Sequence, residues 1–394
     1  MSKPDEYDFT SLVDRRGTNS YKWDVATGEL PMWVADMDFR TAPEIINAMR
    51  RKLDQGVFGY EEVSESYYQA VADWYGREHG ARPCTEWMLF VNGVVPALSS
   101  LVRRLTQPGD QVLVQAPVYD IFFHSIENNG RHVLSSDLVY DPGSHRYHVD
   151  EQDLEAKLAE PLTRMMILCN PHNPAGKVWS RQELERTASL CERHGVSLVS
   201  DEIHGDLVFG QPQYTPLFAL PPELLGHAVS LVSPSKSFNL AALHAATIVA
   251  PGERMRESIS RGINNDELAE PNLLAVPGTI AAYEEAGPWL HALLGQLERS
   301  RSRAVACLEG IDGVEAANEN ATYLLWMDIS ALGAKADQVA AFIREDTGLY
   351  LSSGSIYRGN GDHFLRMNLA CPPSELEDGL ERLARGVRDF RARR

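Results

Sequence analysis

Among the seven lysines of the chain, Lys236 stands in the setting that best suits covalent chemistry. It lies in Ser233-Pro-Ser-Lys-Ser, directly after the apolar run Ala228–Val232. Burial at the edge of a strand lowers the pKa of an amine, and a neutral amine attacks carbonyl groups. A lysine on a surface loop is the alternative. The lysines expected to face solvent, from their polar or helical surroundings, are Lys3, Lys22, Lys52, Lys157 and Lys335.

A carboxylate, Asp201, ends another apolar run in Ser200-Asp-Glu-Ile-His204. Ligands of α/β sheets bind where the strands end, and a buried carboxylate needs a partner. A protonated ring nitrogen is such a partner, and it turns the ring into an electron sink. An Asp that caps the next turn is the alternative. His204 is either a hydrogen-bonding site residue or part of that turn.

Three more features follow predicted strands. The loop Asn170-Pro-His-Asn-Pro-Ala-Gly176 is restricted by its prolines, so Asn173 can be held to donate to a ligand oxygen. Asn92–Pro96 precedes a helix, whose first N–H groups can bind phosphate. Tyr119 can stack on a flat ring. Ordinary turn chemistry is the alternative for the loops, and a core position is the alternative for Tyr119.

Near the C-terminus, Arg366 lies among the apolar residues of a strand-like segment. A buried guanidinium must be paired. Its planar fork suits a substrate carboxylate, and a structural salt bridge is the alternative.

Short apolar runs alternate with helical patterns between residues 87 and 250, which predicts a mostly parallel α/β sheet. Several runs are apolar at consecutive positions, as expected of strands buried on both faces. The predicted strands are Met88–Val91, Gln111–Gln115, Met165–Cys169, Val196–Ser200, Val229–Ser233, Ala245–Ala250 and the weaker His132–Leu138.

Helix boundaries are marked in several places. Thr41–Glu44 and Ser180–Glu183 fit the capping box, and Gly195 is predicted to end the second of these helices. After about residue 275 the pattern changes to that of a second, α+β domain. Its predicted elements are a long helix over Ile280–Glu309, a strand over Thr322–Met327, a helix near Asp337–Glu345, a strand over Phe364–Leu369 and a final charged helix.

We therefore predict an N-terminal arm and part of the small domain at 1–46, a large domain at 47–280, and a C-terminal small domain at 281–394. The formal net charge of −18 argues against nucleic-acid or anionic-membrane partners. No apolar run is long enough to span a bilayer, and the polar N-terminus has no signal-peptide core. Five scattered cysteines without a CxxC pair favour a reduced, intracellular protein, and we expect it to be cytoplasmic. No metal site is predicted.

Together, and in this order, these features resemble the fold-type I enzymes that use pyridoxal 5′-phosphate (PLP), the aspartate aminotransferase superfamily. The family pattern is a phosphate-binding turn, a stacking aromatic residue, NPxNPxG, D-x-x-[Tyr/His], S-x-S-K and R-x-N. The resemblance covers nearly the whole chain and implies a large domain with a seven-stranded sheet. The matching segments are Gly93–Val95, Tyr119, Asn170–Gly176, Asp201–His204, Ser233–Lys236 and Arg366–Asn368.

A narrower resemblance is to the MalY/PatB group, which are carbon–sulfur lyases of the cystathionine β-lyase type. Two residues depart from the aminotransferase pattern. His204 stands where many aminotransferases have tyrosine, and His244 stands where aspartate aminotransferases have a phosphate-binding arginine. The segments that carry the narrower resemblance are Gly17–Asp24, Pro31–Phe39, Phe58–Tyr60 and Ser200–Asp206.

The resemblance implies that Lys236 holds the cofactor as a Schiff base, that Asp201 binds the pyridine nitrogen, and that Tyr119 stacks on the ring. It implies phosphate or ring contacts for Gly93, Val94, Val95, Asn173, His204, Ser233 and Ser235. Arg366 matches the arginine for the substrate carboxylate. The further substrate contacts implied are Ala35, Tyr60, Asn173 and Tyr357. Tyr60 matches a tyrosine that reaches the phosphate of a neighbouring subunit, which implies a homodimer.

The activity implied is α,β-elimination from a sulfur amino acid, which releases a thiol, pyruvate and ammonia. L-Cystathionine is the first substrate to test, and methionine biosynthesis is the expected context. Lys236 would remove the Cα proton, and Asp201 would keep the ring protonated. Two alternatives remain open: an aminotransferase, and a lyase that also binds a regulatory protein.

Overall fold

The computed structural model describes residues 7–393 of the chain. Lys3, the first six residues of the predicted N-terminal arm, and residue 394 lie outside the described residues. No helix within residues 7–393 is long and apolar enough to cross a membrane.

The helices of the described residues are α1 Pro43–Leu53, α2 Glu65–His79, α3 Val94–Leu105, α4 Ile121–Glu127, α5 Glu151–Leu158, α6 Arg181–His194, α7 Glu253–Asn265, α8 Ala275–Glu284, α9 Gly287–Leu308, α10 Ala336–Thr347 and α11 Pro373–Ala392. The strands are β1 Leu30–Pro31, β2 Met88–Val91, β3 Gln111–Val114, β4 His132–Ser135, β5 Val139–Asp141, β6 Arg146–His148, β7 Thr163–Cys169, β8 Ser197–Asp201, β9 Ala228–Val232, β10 Ala246–Val249, β11 Glu315–Ala316, β12 Leu324–Asp328, β13 Leu349–Tyr350, β14 Ser352–Ser353 and β15 Phe364–Asn368.

All seven predicted strands form one seven-stranded sheet in the order β2-β10-β9-β8-β7-β3-β4. The neighbours from β9 to β4 are parallel, whereas β10 runs antiparallel to both β2 and β9. Strand β2 therefore points in the same direction as β9. The prediction of a mostly parallel seven-stranded α/β sheet is confirmed.

Helices cover both faces of this sheet. Along β7, Met165 and Ile167 pack in one hydrophobic cluster with residues of α3, α4 and α7. The alternate residues Met166 and Leu168 pack in another cluster with residues of α5 and α6. Because successive side chains of a strand point to opposite faces, burial on both faces requires the continuous apolar runs seen in the sequence.

A smaller antiparallel sheet has the order β11-β12-β15-β14, and β1 pairs in parallel with β13. Trp23, Leu30 and Met32 share a hydrophobic cluster with residues of α10 and α11, so the small α+β domain takes residues from both ends of the chain. Helix α9 contributes side chains to this cluster and to the large-domain cluster. The boundaries at 46 and 280 stay predictions.

Two local predictions were wrong. The long helix over Ile280–Glu309 is broken into α8 and α9, with Pro288 in the first turn of α9. Proline has no N–H and disfavours helical geometry in the preceding residue, so one helix cannot run through it. The hydroxyl of Thr41 donates to the carbonyl of Phe238 at 2.7 Å instead of capping α1. The capping box of Ser180 and the left-handed Gly195 after α6 are both confirmed.

Candidate active site

A cavity of about 390 Å³ lies at one edge of the large sheet. Strands β2, β3, β7, β8 and β9 all end at this edge, and β10 begins there, since it runs in the opposite direction. The loops that follow five strands therefore meet in one place, as is usual for ligand sites of α/β sheets. The residues lining the cavity are Ala35, Gly93, Val94, Val95, Pro96, Tyr119, Cys169, Asn173, Asp201, Ile203, His204, Ser235, Lys236, Ala241 and His244.

Lys236 reaches the cavity from the turn after β9. Its Nζ donates to the carbonyl oxygen of Ala35 at 2.5 Å. Burial lowers the pKa of this amine to about 8. The charge of Asp36 raises the pKa, and the charge of Arg366 lowers it further. A substantial neutral fraction therefore exists near neutral pH, as nucleophilic and general-base roles require.

Asp201 is the last residue of β8 and is almost fully buried. Burial raises the pKa of its carboxyl group to about 6, against the opposing effects of the Ile203 N–H and the Lys236 charge. The Ile203 N–H donates to Oδ1 at 3.1 Å. A cation placed against this carboxylate in the cavity would lower its pKa again.

His204 is buried beside the same cavity, and burial lowers its pKa to about 3, with smaller contributions from the Lys236 and Arg366 charges. Its Nδ1 has no hydrogen-bond partner within residues 7–393. A buried ring nitrogen without a partner is costly, so this atom is suited to a polar group of a bound ligand.

At the other end of the cavity, Gly93 is the N-cap of α3 with φ +108°, a conformation that L side chains rarely adopt. The N–H groups of Val94 and Val95 lie in the first helical turn, where no intrahelical acceptor exists. The hydroxyl oxygens of Ser233 and Ser235 lie 2.7 Å apart. Ser233 does not line the cavity, and its hydroxyl donates to the Ala245 carbonyl.

Behind Asn173, the small antiparallel sheet meets the large sheet. Arg366 of β15 is buried, and its Nη1 donates to Asn173 Oδ1 at 2.9 Å. The Tyr357 ring lies 5.0 Å from the guanidinium carbon. Arg366 Nε has no hydrogen-bond partner among the described residues. Arg366 and Tyr357 therefore stand behind Asn173 without lining the cavity.

The loop carrying Asn173 is fixed by its backbone. The N–H of Gly176 donates to the His172 carbonyl, and the Ala321 N–H donates to the Gly176 carbonyl. Gly176 has φ +80°, and a Cβ there would lie 2.9 Å from the Ala321 oxygen. Only glycine fits this position without displacing the backbone at Ala321.

Tyr60 is the predicted site residue that the structure places apart from the others. Its side chain is fully exposed in this chain, on the loop that also exposes Val57 and Phe58. A group so exposed contributes to a site only through another molecule.

Sequence reasoning missed Cys169, Ile203, Pro96 and Ala241 as lining residues. Cys169 could have been found, because it ends β7 and pairs in register with Asp201 at the end of β8. The expected exposure of Lys22 was wrong: its side chain is 1% exposed, and its Nζ lies 2.6 Å from Asp38 Oδ2. Polar neighbours in the sequence do not show that an opposite charge will enclose a lysine.

Residues 29–383 match the family model described as aminotransferase class I and II. Cystathionine β-lyase PatB of Bacillus subtilis is 40% identical over 383 residues, covering 95% of this chain and 98% of that protein. Protein MalY of Escherichia coli is 34% identical over 394 residues, covering 98% of this chain and 100% of that protein. The structure of cystalysin from Treponema denticola, which contains PLP, superposes with a TM-score of 0.93 at 30% identity, covering 97% and 99% of the two chains.

PLP carries a phosphate, a ring nitrogen, a ring hydroxyl and an aldehyde, and the cavity has a group suited to each. The start of α3 and Ser235 suit the phosphate, Asp201 suits the ring nitrogen, and Lys236 suits the aldehyde. Asn173 and the partnerless His204 Nδ1 offer polar contacts to the remaining oxygen. The residues present therefore fit this cofactor.

Proposed function

The chain belongs to the aminotransferase class I and II family of PLP-dependent enzymes, and we propose that it is a carbon–sulfur lyase acting on L-cystathionine or a related cysteine S-conjugate. The observation that carries this proposal is the amine of Lys236 and the carboxylate of Asp201 facing one cavity, beside the Arg366–Asn173 pair. The identity with PatB, over nearly the full length of both chains, favours elimination over amino-group transfer.

The substrate carboxylate would bind at Arg366, whose Nε is unpaired and whose fork can hold two carboxylate oxygens. Lys236 would then stand near the substrate Cα, since Asn173, which Arg366 contacts, lines the same cavity as Lys236. Its neutral amine takes the Cα proton as general base. When bound, PLP supplies an electron sink for the pair of electrons left on Cα.

Elimination then breaks the Cβ–S bond, and the sulfur leaves with the bonding electrons. Lys236, which now carries the proton from Cα, is the donor we assign to the leaving thiolate. Tyr119 is the second possible donor, because burial keeps its pKa above the ordinary range and the phenol remains protonated. The organic product left is an aminoacrylate, which hydrolyses to pyruvate and ammonia.

Incubation of the purified protein with L-cystathionine and no keto acid tests this proposal. We expect continuous production of pyruvate and of a free thiol at equal rates. A reaction that stops after one turnover, and resumes when a keto acid is added, would show an aminotransferase instead. Lys236→Ala is the control and should lose both activities, since the same base removes the Cα proton in each.

The choice of sulfur substrate is tested by the same assay with cystathionine, cysteine, cystine and alanine. Homocysteine from cystathionine would support a role in methionine biosynthesis. Alanine has no leaving group on Cβ, so it should give no pyruvate without a keto acid.

We also propose that the protein works as a homodimer in the reducing cytoplasm. Support comes from the exposed apolar side chains of Val57 and Phe58 beside Tyr60, which a second subunit would cover. The five cysteines are all free thiols, as is usual in reducing compartments. Light scattering in solution should give twice the mass of one 43.9 kDa chain.

A further inference from the structure

The segment Trp33–Met37, here named the strap, crosses from the small domain to the cavity. Each of its five consecutive carbonyl groups accepts a hydrogen bond from a side chain outside the strap. Such saturation is unusual for a segment outside helices and strands, where most carbonyl groups face water. Four side chains make these five hydrogen bonds: Arg366 to Trp33, Asn368 to Val34 and to Asp36, Lys236 to Ala35, and Asn239 to Met37.

Asn368 makes the central contacts with the strap. Its Nδ2 donates to the carbonyl oxygens of Val34 and Asp36, both at 2.6 Å. Its Oδ1 accepts from the Ala370 N–H at 2.8 Å, and the side chain is buried. Both N–H groups of the amide are therefore bound by the strap, and the side chain does not line the cavity.

The residue between these two carbonyls is Ala35. Its own carbonyl accepts from Lys236 Nζ at 2.5 Å and from the Tyr323 hydroxyl at 3.0 Å. Asn368 thus fixes the peptide groups before and after the one that contains the Ala35 carbonyl, and the direction of that carbonyl follows. A side chain two positions from Arg366 on β15 is coupled in this way to the amine of Lys236.

We propose that Asn368 is a positioning residue for Lys236: it fixes the Ala35 carbonyl, which holds the lysine amine whenever that amine is not bonded to the cofactor. The inference rests on the proposed role of Lys236 as the base that removes the Cα proton. A base displaced by about 1 Å loses a factor on the order of 100 in rate. The strap has further anchors in Lys22, whose Nζ donates to the Asp36 carbonyl, and in Asn239, so the loss of Asn368 should loosen it without releasing it.

The test measures exchange of the Cα proton of L-alanine for deuterium in D₂O, followed by NMR, with the holoenzyme of wild type and of Asn368→Ala. Alanine has no leaving group, so this reaction does not depend on cleavage of a carbon–sulfur bond. We expect the exchange rate at saturating alanine to fall roughly 10- to 100-fold. The alanine concentration giving half the maximal rate should change less than about threefold, since Arg366 remains.

A readout independent of activity is amide hydrogen exchange of the full-length chain. Residues 34–38 should exchange faster in Asn368→Ala, with the large sheet unchanged. Thr41→Val is the matched control, because it removes one partly buried hydrogen bond between the same N-terminal segment and Phe238 without touching the strap carbonyls. We expect its alanine exchange to stay within about twofold of wild type. If Asn368→Ala does not fold, Asn368→Ser removes the same amide donor with a smaller change in volume and polarity.

Three outcomes would overturn the inference: unchanged alanine exchange in the variant, a loss seen only in the half-saturating concentration, or an equal loss in Thr41→Val. The second would assign Asn368 to substrate binding through Arg366, and the third would leave it only a general structural role. Failure of the proposed function is distinguishable, because it would appear in the wild-type protein as pyruvate formation that requires a keto acid, or as no alanine exchange.

Discussion

Arg366 donates to the side-chain oxygen of Asn173 across 2.9 Å, so the small antiparallel sheet contacts the loop that follows β7 of the large sheet. The predicted carboxylate-binding group and the predicted cofactor contact are therefore one hydrogen-bonded unit. Arg366 Nη2 donates to the carbonyl of Trp33 at 2.8 Å, while Nε has no hydrogen-bond partner within residues 7–393. The guanidinium is oriented by the protein and retains donor capacity for a substrate.

Arg366→Lys should lower kcat/KM for L-cystathionine roughly 100-fold, mainly by raising KM, because an ammonium group cannot form the two parallel bonds of a guanidinium. Steady-state pyruvate assays measure the effect. Arg303→Lys is the control, since Arg303 pairs with Glu377 on the surface, and it should behave as wild type. A KM unchanged in Arg366→Lys would remove this arginine from substrate binding.

Asp201→Asn should stabilise the cofactor-free chain at neutral pH while lowering activity about 100-fold or more. The folded-state pKa of about 6 lies above the ordinary 3.8 because of burial. Burial of the Asp201 carboxyl group therefore costs no stability below pH 3.8, and its cost grows as the pH rises to about 6. The asparagine variant lacks this cost, so its advantage should grow from near zero at pH 4 to about 3 kcal/mol above pH 7.

Urea unfolding at one protein concentration and a series of pH values measures this difference. Asp73→Asn changes an exposed carboxylate paired with Arg82 and provides the control, with little dependence on pH. An advantage of Asp201→Asn that is the same at pH 4 and pH 7 would contradict the assigned cause.

Alone, Tyr60→Ala should be poorly active and Lys236→Ala inactive, and the two should complement each other when mixed. If Tyr60 serves the neighbouring subunit, a mixed dimer contains one site with both native residues. Unfolding and refolding an equal mixture should restore up to about a quarter of wild-type activity, since half of the dimers are mixed and each has one native site. No recovery, with mixed dimers present by native mass spectrometry, would place Tyr60 in its own subunit's site or outside any site.

Gly176→Ala should destabilise the protein by about 1 kcal/mol more than Gly195→Ala does. Both glycines have positive φ, at +80° and +66°, so both variants incur the backbone cost of roughly 1 kcal/mol. Only at Gly176 would the new Cβ lie 2.9 Å from a backbone oxygen, whereas nothing lies within 4 Å at Gly195. Chemical denaturation compares the two, and cofactor absorbance should decrease only in Gly176→Ala. Equal destabilisation would mean that the Ala321 segment yields to the added methyl group.

The strands of the large sheet were predictable from the sequence. Because both faces of the sheet are buried, each strand is a short run of consecutive apolar residues. The helix break at Pro288 could also have been predicted from the sequence, since proline is unfavourable in a helix interior. Thr41 was not predictable, because its hydroxyl prefers the carbonyl of Phe238, which is distant in sequence. The exposure predicted for Lys22 was wrong for the same reason. Its partner Asp38 can be read from the sequence, but the burial of the pair in the folded protein cannot.

The residue types and their order determined the chemistry that this chain can support: an amine in Lys236, a carboxylate in Asp201 and a phosphate-binding turn at Gly93. Local patterns carry this information because each group follows a strand, and parallel strands end at one edge of a sheet. The tertiary structure alone decided how the groups are held, including the Asn173–Arg366 bond and the contacts of Asn368 with the strap. These contacts join residues that are about 200 to 330 positions apart. No local propensity specifies such pairs, which arise only when two domains and their connecting segment pack together.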